Sequence, residues 1–166
     1  MATFQMPILN NSVNYDAGVY PSTMASEMSL TNSKPTQVVV MPFPAGADIG
    51  LSGVFTLPQN YVGTPKFIIQ YIIDGTPANN LSFGAQQICV APAATTDVAY
   101  EAEDLVTADQ TGLADEEYGT TSITITPTAS YTPGQPVFWY LYRDDSVDST
   151  TFNILLIDLL FQYADA

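Results

Sequence analysis

Residues 136–163 read PVFWYLYRDDSVDSTTFNILLIDLLFQY, an aromatic run, a polar turn and a long second apolar run. Strand alternation over Pro136–Tyr142 places Val137, Trp139 and Leu141 on one face and Phe138, Tyr140 and Tyr142 on the other. Over Thr151–Tyr163 the same period puts Leu155, Ile157, Leu159, Phe161 and Tyr163 on one side. Phe152, Ile154, Leu156 and Leu160 fall on the opposite side. A sandwich strand buries only one face in its own core. Two consecutive strands that are apolar on both faces therefore call for a second cover. An N-terminal arm and a further copy of the chain, together in a symmetric homo-oligomer, would supply it, or loops of the same chain would cover these as central strands.

Upstream, the chain from Gln37 continues as short apolar or alternating runs divided by Gly, Pro, Asn and Asp. The expected strands are Gln37–Phe43, Gly50–Leu57, Lys66–Ile73, Leu81–Val90, Ala99–Thr107, Tyr118–Thr126, Pro136–Tyr142 and Thr151–Tyr163. Residues 97–109 would also suit a helix with Asp97 as N-cap. Eight antiparallel strands without a convincing helix indicate an all-β, eight-stranded jelly-roll sandwich over residues 36–166.

Residues 1–35 differ in kind. They are rich in Asn, Ser, Thr and Met, lack sustained periodicity, and are punctuated by Pro7, Pro21 and Pro35. This reads as an extended arm whose Phe4, Met6, Ile8, Tyr15 and Tyr20 are too apolar for a solvated linker. The expected oligomer or lattice interface combines these with Phe138, Tyr140, Tyr142, Ile154, Leu156 and Leu160.

Charge restricts the partners. The 166 residues hold 3 Lys and Arg against 17 Asp and Glu, no His, and a net charge of -14. Phosphate backbones and anionic membranes need clustered cations, so neither nucleic acid nor a membrane surface is an expected partner. Without His, the commonest general base and zinc ligand are both missing. Cys89 has no second cysteine to pair with, and no cofactor is expected. The start of the chain lacks the basic and apolar stretches of a secretory signal, and Ile154–Phe161 is far too short to span a bilayer.

Three segments in order carry a resemblance. Gly53-Val-Phe-Thr-Leu-Pro-Gln-Asn-Tyr-Val-Gly63 followed by an apolar strand, then Leu81-Ser-Phe-Gly-Ala-Gln-Gln87, and finally residues 133–163 resemble the small jelly-roll virion proteins of tailed bacteriophages. In that ending an aromatic strand runs into Arg-Asp, an acidic turn and a long apolar strand. Ser149 departs from it, standing where an Asp is usual. The resemblance spans roughly residues 50–163 and implies a capsid decoration, head-fibre or tail-associated protein, assembled as a homo-oligomer, often a trimer, on capsid or tail proteins of the virion. It implies no catalytic motif.

The turn chemistry can be read independently. Arg143 stands beside Asp144, Asp145 and Asp148, which suits a charge-assisted staple across the turn. The same three carboxylates are weak candidates for a calcium site, although the spacing fails the EF-hand pattern. The acids from Asp97 to Glu117 read as a solvated rim that repels neighbours, with divalent-cation binding or a docking patch for a basic partner as the alternatives. Of the other function classes, a carbohydrate- or receptor-binding jelly roll is the alternative, with Tyr61, Tyr118, Tyr131 and Trp139 as stacking candidates. A self-assembling cellular filament or shell protein shares the physics of the virion reading. Paired-carboxylate glycoside hydrolysis is the one enzyme chemistry the composition permits, and nothing in the sequence places two carboxylates across a cleft. The expectation is a non-enzyme.

Overall fold

A computed structural model of the chain describes residues 2–9, 12–16, 26–30, 36–46, 49–76, 80–92, 94, 99–128 and 130–165. Its strands are β1 (Thr3–Pro7), β2 (Ser12–Asp16), β3 (Ser26–Leu30), β4 (Thr36–Phe43), β5 (Ile49–Thr56), β6 (Tyr61–Asp74), β7 (Asn80–Cys89), β8 (Asp104–Asp109), β9 (Tyr118–Thr124), β10 (Pro136–Arg143) and β11 (Asn153–Asp165). There is no α-helix among the described residues. The ambiguous stretch before residue 109 resolves as the strand β8, paired along β7.

Two antiparallel sheets face each other. One runs β3-β4-β11-β6-β9 with β1 also on β11, and the other runs β2-β5-β10-β7-β8. Aromatic contacts stitch the facing sheets: Phe55 meets Phe161 at 4.5 Å, Phe67 meets Trp139 edge-on at 6.2 Å, and Tyr71 meets Phe83 at 5.8 Å between ring centroids. Eight of the strands answer to the expected ones, with that expected over Ala99–Thr107 displaced to Asp104–Asp109. The other three come from the first 30 residues, which add themselves to the edges of both sheets.

β11 departs from the simple alternation. Leu156 pairs with Tyr71, but Asp158 pairs with the adjacent Gln70, so Ile157 is an extra residue bulging from the ladder. A one-residue insertion exchanges the two faces of a strand. Ile154 and Leu156 point into the core before the bulge, and Leu159, Phe161 and Tyr163 do so after it. The expectation that Ile154 and Leu156 lie on a free interface face is corrected accordingly: both are fully buried in this chain's own core.

The same correction applies to the start of the arm. β1 pairs with the second half of β11, Ile8 is buried and donates its backbone N–H to the Leu159 carbonyl at 2.9 Å, and Met6 packs against the core. Phe4 stacks on Tyr163 with centroids 5.8 Å apart. Ile8 and Met6 thus cover their own sandwich while Phe4 stays 42% exposed, because β4 pairs with β11 only as far as Leu156 and leaves the rest of that edge open for β1.

Candidate functional site

The outer face of the five-stranded sheet is built around β10. Its central position makes it pair with β5 on one side and β7 on the other. Phe138 lies between Val54 and Ile88, Tyr140 between Ser52 and Gln86, and Tyr142 between Gly50 and Gly84. The two glycines shape the surface. A Cβ at Gly50 would come within 2.6 Å of the Tyr140 ring, and one at Gly84 would collide with the Tyr142 ring. Both tyrosines therefore lie down across the sheet over positions with no side chain. Their rings are nearly parallel, with centroids 5.3 Å apart and planes at 18°.

Beside this platform is a hollow of about 360 Å³ lined by Ser52, Gln86, Tyr100 and Tyr140. Tyr100 is partly exposed, and burial raises its phenol above the ordinary tyrosine range. Leu105, paired opposite Gly84, and Val54 extend the face as exposed apolar side chains. The face thus offers two flat rings, a hydroxyl, a carboxamide and no carboxylate on its three central strands. That equipment stacks and hydrogen-bonds a ligand.

A second hollow, of about 630 Å³, sits where β6 begins and the segment after β9 ends. Tyr61 and Tyr131 line it with centroids 6.3 Å apart, together with Pro65, Pro127 and the hydroxyls of Thr124, Thr126, Thr128 and Ser130. The Tyr131 hydroxyl is buried and approaches the Gln87 side chain without a well-formed hydrogen bond, and Trp139 Nε1, in the core, has no partner among the described residues. Burial pushes the Tyr131 phenol far up, with the charge of Glu101 adding to the effect.

The stacking candidates read from sequence are therefore divided. Tyr61 and Tyr131 meet at this end groove, Tyr118 stands exposed beside a third hollow with Tyr71 and Gln110, and Trp139 is fully buried in the core. Tyr140 and Tyr142, read as interface residues, form a nearly parallel stacked pair. Phe138 and Leu160 are half-buried on outer faces. The Tyr15 backbone pairs with Gly50, its side chain lies outside the described residues, and Tyr20 lies wholly outside them.

The closing turn is a staple. Arg143 is fully buried, its Nε donates to Asp148 Oδ2 at 2.6 Å, and Nη1 donates to the carbonyls of Phe43 and Phe152, each at 2.9 Å. Nη2 donates to the Thr150 hydroxyl. Asp148 also accepts from Thr150, Asp144 accepts from the Ser146 backbone and hydroxyl, and Asp145 accepts from the Gly46 N–H at 2.9 Å. The three acids weighed as cation ligands point to three different partners.

Much of the acidic stretch is likewise engaged. Asp104 and Glu101 accept the N–H groups of Thr126 and Thr128, both at 2.9 Å, tying the β8 edge of one sheet to the chain leaving β9 of the other. Asp109, Asp115 and Glu117 accept from Thr111, Gly75 and Ala114. The solvated-rim reading is thereby narrowed: these five carboxylates hold turns and edges as well as supplying charge. Asp97 lies outside the described residues.

No protein-family model and no curated protein matches the chain. Solved structures do. A xylan-binding module, CBM15, superposes with a TM-score of 0.52 at 10% identity, covering 99% of this chain and 97% of that one. A cyclase from Fischerella sp. TAU gives 0.50 at 10% identity over 99% and 100% of the two chains. A Family 11 carbohydrate-binding module from Clostridium thermocellum, in complex with a mixed-linked tetrasaccharide, gives 0.47 at 9% identity over 96% and 94%. At such identities the likeness to CBM15 and to the cyclase concerns the fold alone, that of a jelly-roll β-sandwich.

Proposed function

We propose that this protein is a non-catalytic binding module that takes carbohydrate on the outer face of its five-stranded sheet. One observation carries the reading: Tyr140 and Tyr142 lie flat and nearly parallel over two glycines, beside a hollow lined by Ser52, Gln86 and Tyr100. A pyranose ring presents an apolar C–H face to such a platform and hydroxyls to its polar margin. Removing Tyr140 or Tyr142 by substitution to Ala should weaken binding on a glycan array on the order of tenfold or more, the loss of one stacked ring. Tyr61→Ala, at the end groove, should leave binding within about twofold. Loss of binding in the Tyr61 variant alone would move the site to that groove.

A second reading, a virion structural component, is supported by the phage-like closing segment, whose Arg143, Asp148 and Thr150 fold into one buried staple. The two readings are compatible, since a structural protein can carry a glycan-binding face. The virion reading expects a homo-oligomer, with a trimer favoured by the resemblance, and labelling of purified particles by an antibody to this chain. Sedimentation of the full-length protein only as a folded monomer would count against the oligomer.

A further inference from the structure

We infer that the tyrosine platform selects uncharged glycans and rejects acidic ones; this rests on the reading of the face as a carbohydrate site. The chain has three cationic side chains. Arg143 belongs to a platform strand, but it is fully buried and its donors are spent on Asp148, Thr150 and two carbonyls. Lys66 belongs to β6 in the opposite sheet, at the register of Thr124 and Gln162. Lys34 lies outside the described residues. Among the described residues, a uronate or sialate bound over Tyr140 would find no cation to replace its lost hydration, and burying an unpaired carboxylate is costly.

The surroundings add repulsion. The outward positions of β5, β10 and β7 are Ser52, Val54, Phe138, Tyr140, Tyr142, Gln86 and Ile88, with the glycines between, and all are uncharged. Acids also stand at the margin of this sheet: Glu103 leads into β8 and Asp109 closes it, whereas Asp104 and Glu101 turn to the Thr126 and Thr128 N–H groups of the other sheet's chain. With a net charge of -14, the long-range field also opposes an anionic chain. A neutral sugar feels none of this and retains the stacking and the contacts to Ser52 and Gln86.

Calorimetric titration of the full chain tests the inference, with neutral cello-, xylo- and manno-oligosaccharides on one side and oligogalacturonate of matched length on the other, each at low and high salt. The expected result is neutral binding that salt leaves unchanged, with oligogalacturonate weaker on the order of tenfold or more. In Gln86→Arg, folded by its near-ultraviolet dichroism, oligogalacturonate affinity should rise and should fall again with salt. Wild-type binding of oligogalacturonate as tight as the neutral sugars, or no gain in Gln86→Arg, overturns the charge selection while leaving the site standing. If no oligosaccharide binds the folded wild-type chain, the carbohydrate reading itself falls and the selection with it.

Discussion

β10 and β11 look alike in sequence, each apolar on both faces, yet the structure makes them so for opposite reasons. β10 keeps strict alternation, so Val137, Trp139, Leu141 and Arg143 are inside and Phe138, Tyr140 and Tyr142 form a true second face. In β11 the bulge at Ile157 exchanges the faces halfway along, and both apolar series are used in turn by a single core. A strand that reads as two-sided is therefore evidence either for a surface that needs a partner or for a bulge. Only the pairing register tells them apart.

The largest expected effect lies at the inner end of β10. Arg143→Ala would leave Asp148 buried without its cation and orphan the carbonyls of Phe43 and Phe152. Breaking one half of a buried pair typically costs about 3–5 kcal/mol, to be read as a fall in the urea midpoint. A loss below about 1 kcal/mol, the range of exposed pairs, would show that the staple is open to solvent and that β10 ends before it.

Next in size is an alanine scan that tests the face exchange in β11. Ile154→Ala and Leu156→Ala should each cost about 2–5 kcal/mol, as do buried aliphatic truncations. Leu155→Ala and Ile157→Ala, at half-buried positions, should cost clearly less. Uniform alternation without a bulge, continued back from the buried Leu159 and Phe161, would invert that order, so the scan separates the two accounts of β11 without a structure.

The legibility of the fold follows the same division. Eight strands were readable because turn residues and period-2 runs are local signals. β1, β2 and β3 were not, since each is a strand of 5 residues in a segment without alternation. Their pairing is decided by open edges on β11, β5 and β4. The staple was legible because Arg143, Asp148 and Thr150 are close in sequence. The platform was visible only as aromatic residues, because its flatness depends on Gly50 and Gly84 coming to lie beside β10. Likewise Tyr61 and Tyr131 could each be singled out, but their meeting at one groove depends on the folded topology.

The smallest effect carries the inside–outside contrast to the tyrosines. Burial raises the phenols of Tyr131, Tyr71 and Tyr61, with the hydrogen bond to Gln110 partly offsetting the rise at Tyr71. A folded-state pKa above the unfolded value near 10 means that the neutral phenol is favoured by folding. That contribution is complete below about pH 10 and is lost as pH rises through the folded values, because the unfolded chain ionises first. Alkaline unfolding should therefore coincide with a late step in tyrosinate absorbance. Tyr131→Phe should delay it, and at neutral pH should be neutral or stabilising by about 1 kcal/mol, since the buried hydroxyl it deletes has only a poorly formed contact with the Gln87 side chain. A destabilised Tyr131→Phe would instead show that this hydroxyl makes a bond worth keeping with the Gln87 side chain, and that the end groove is held together from within.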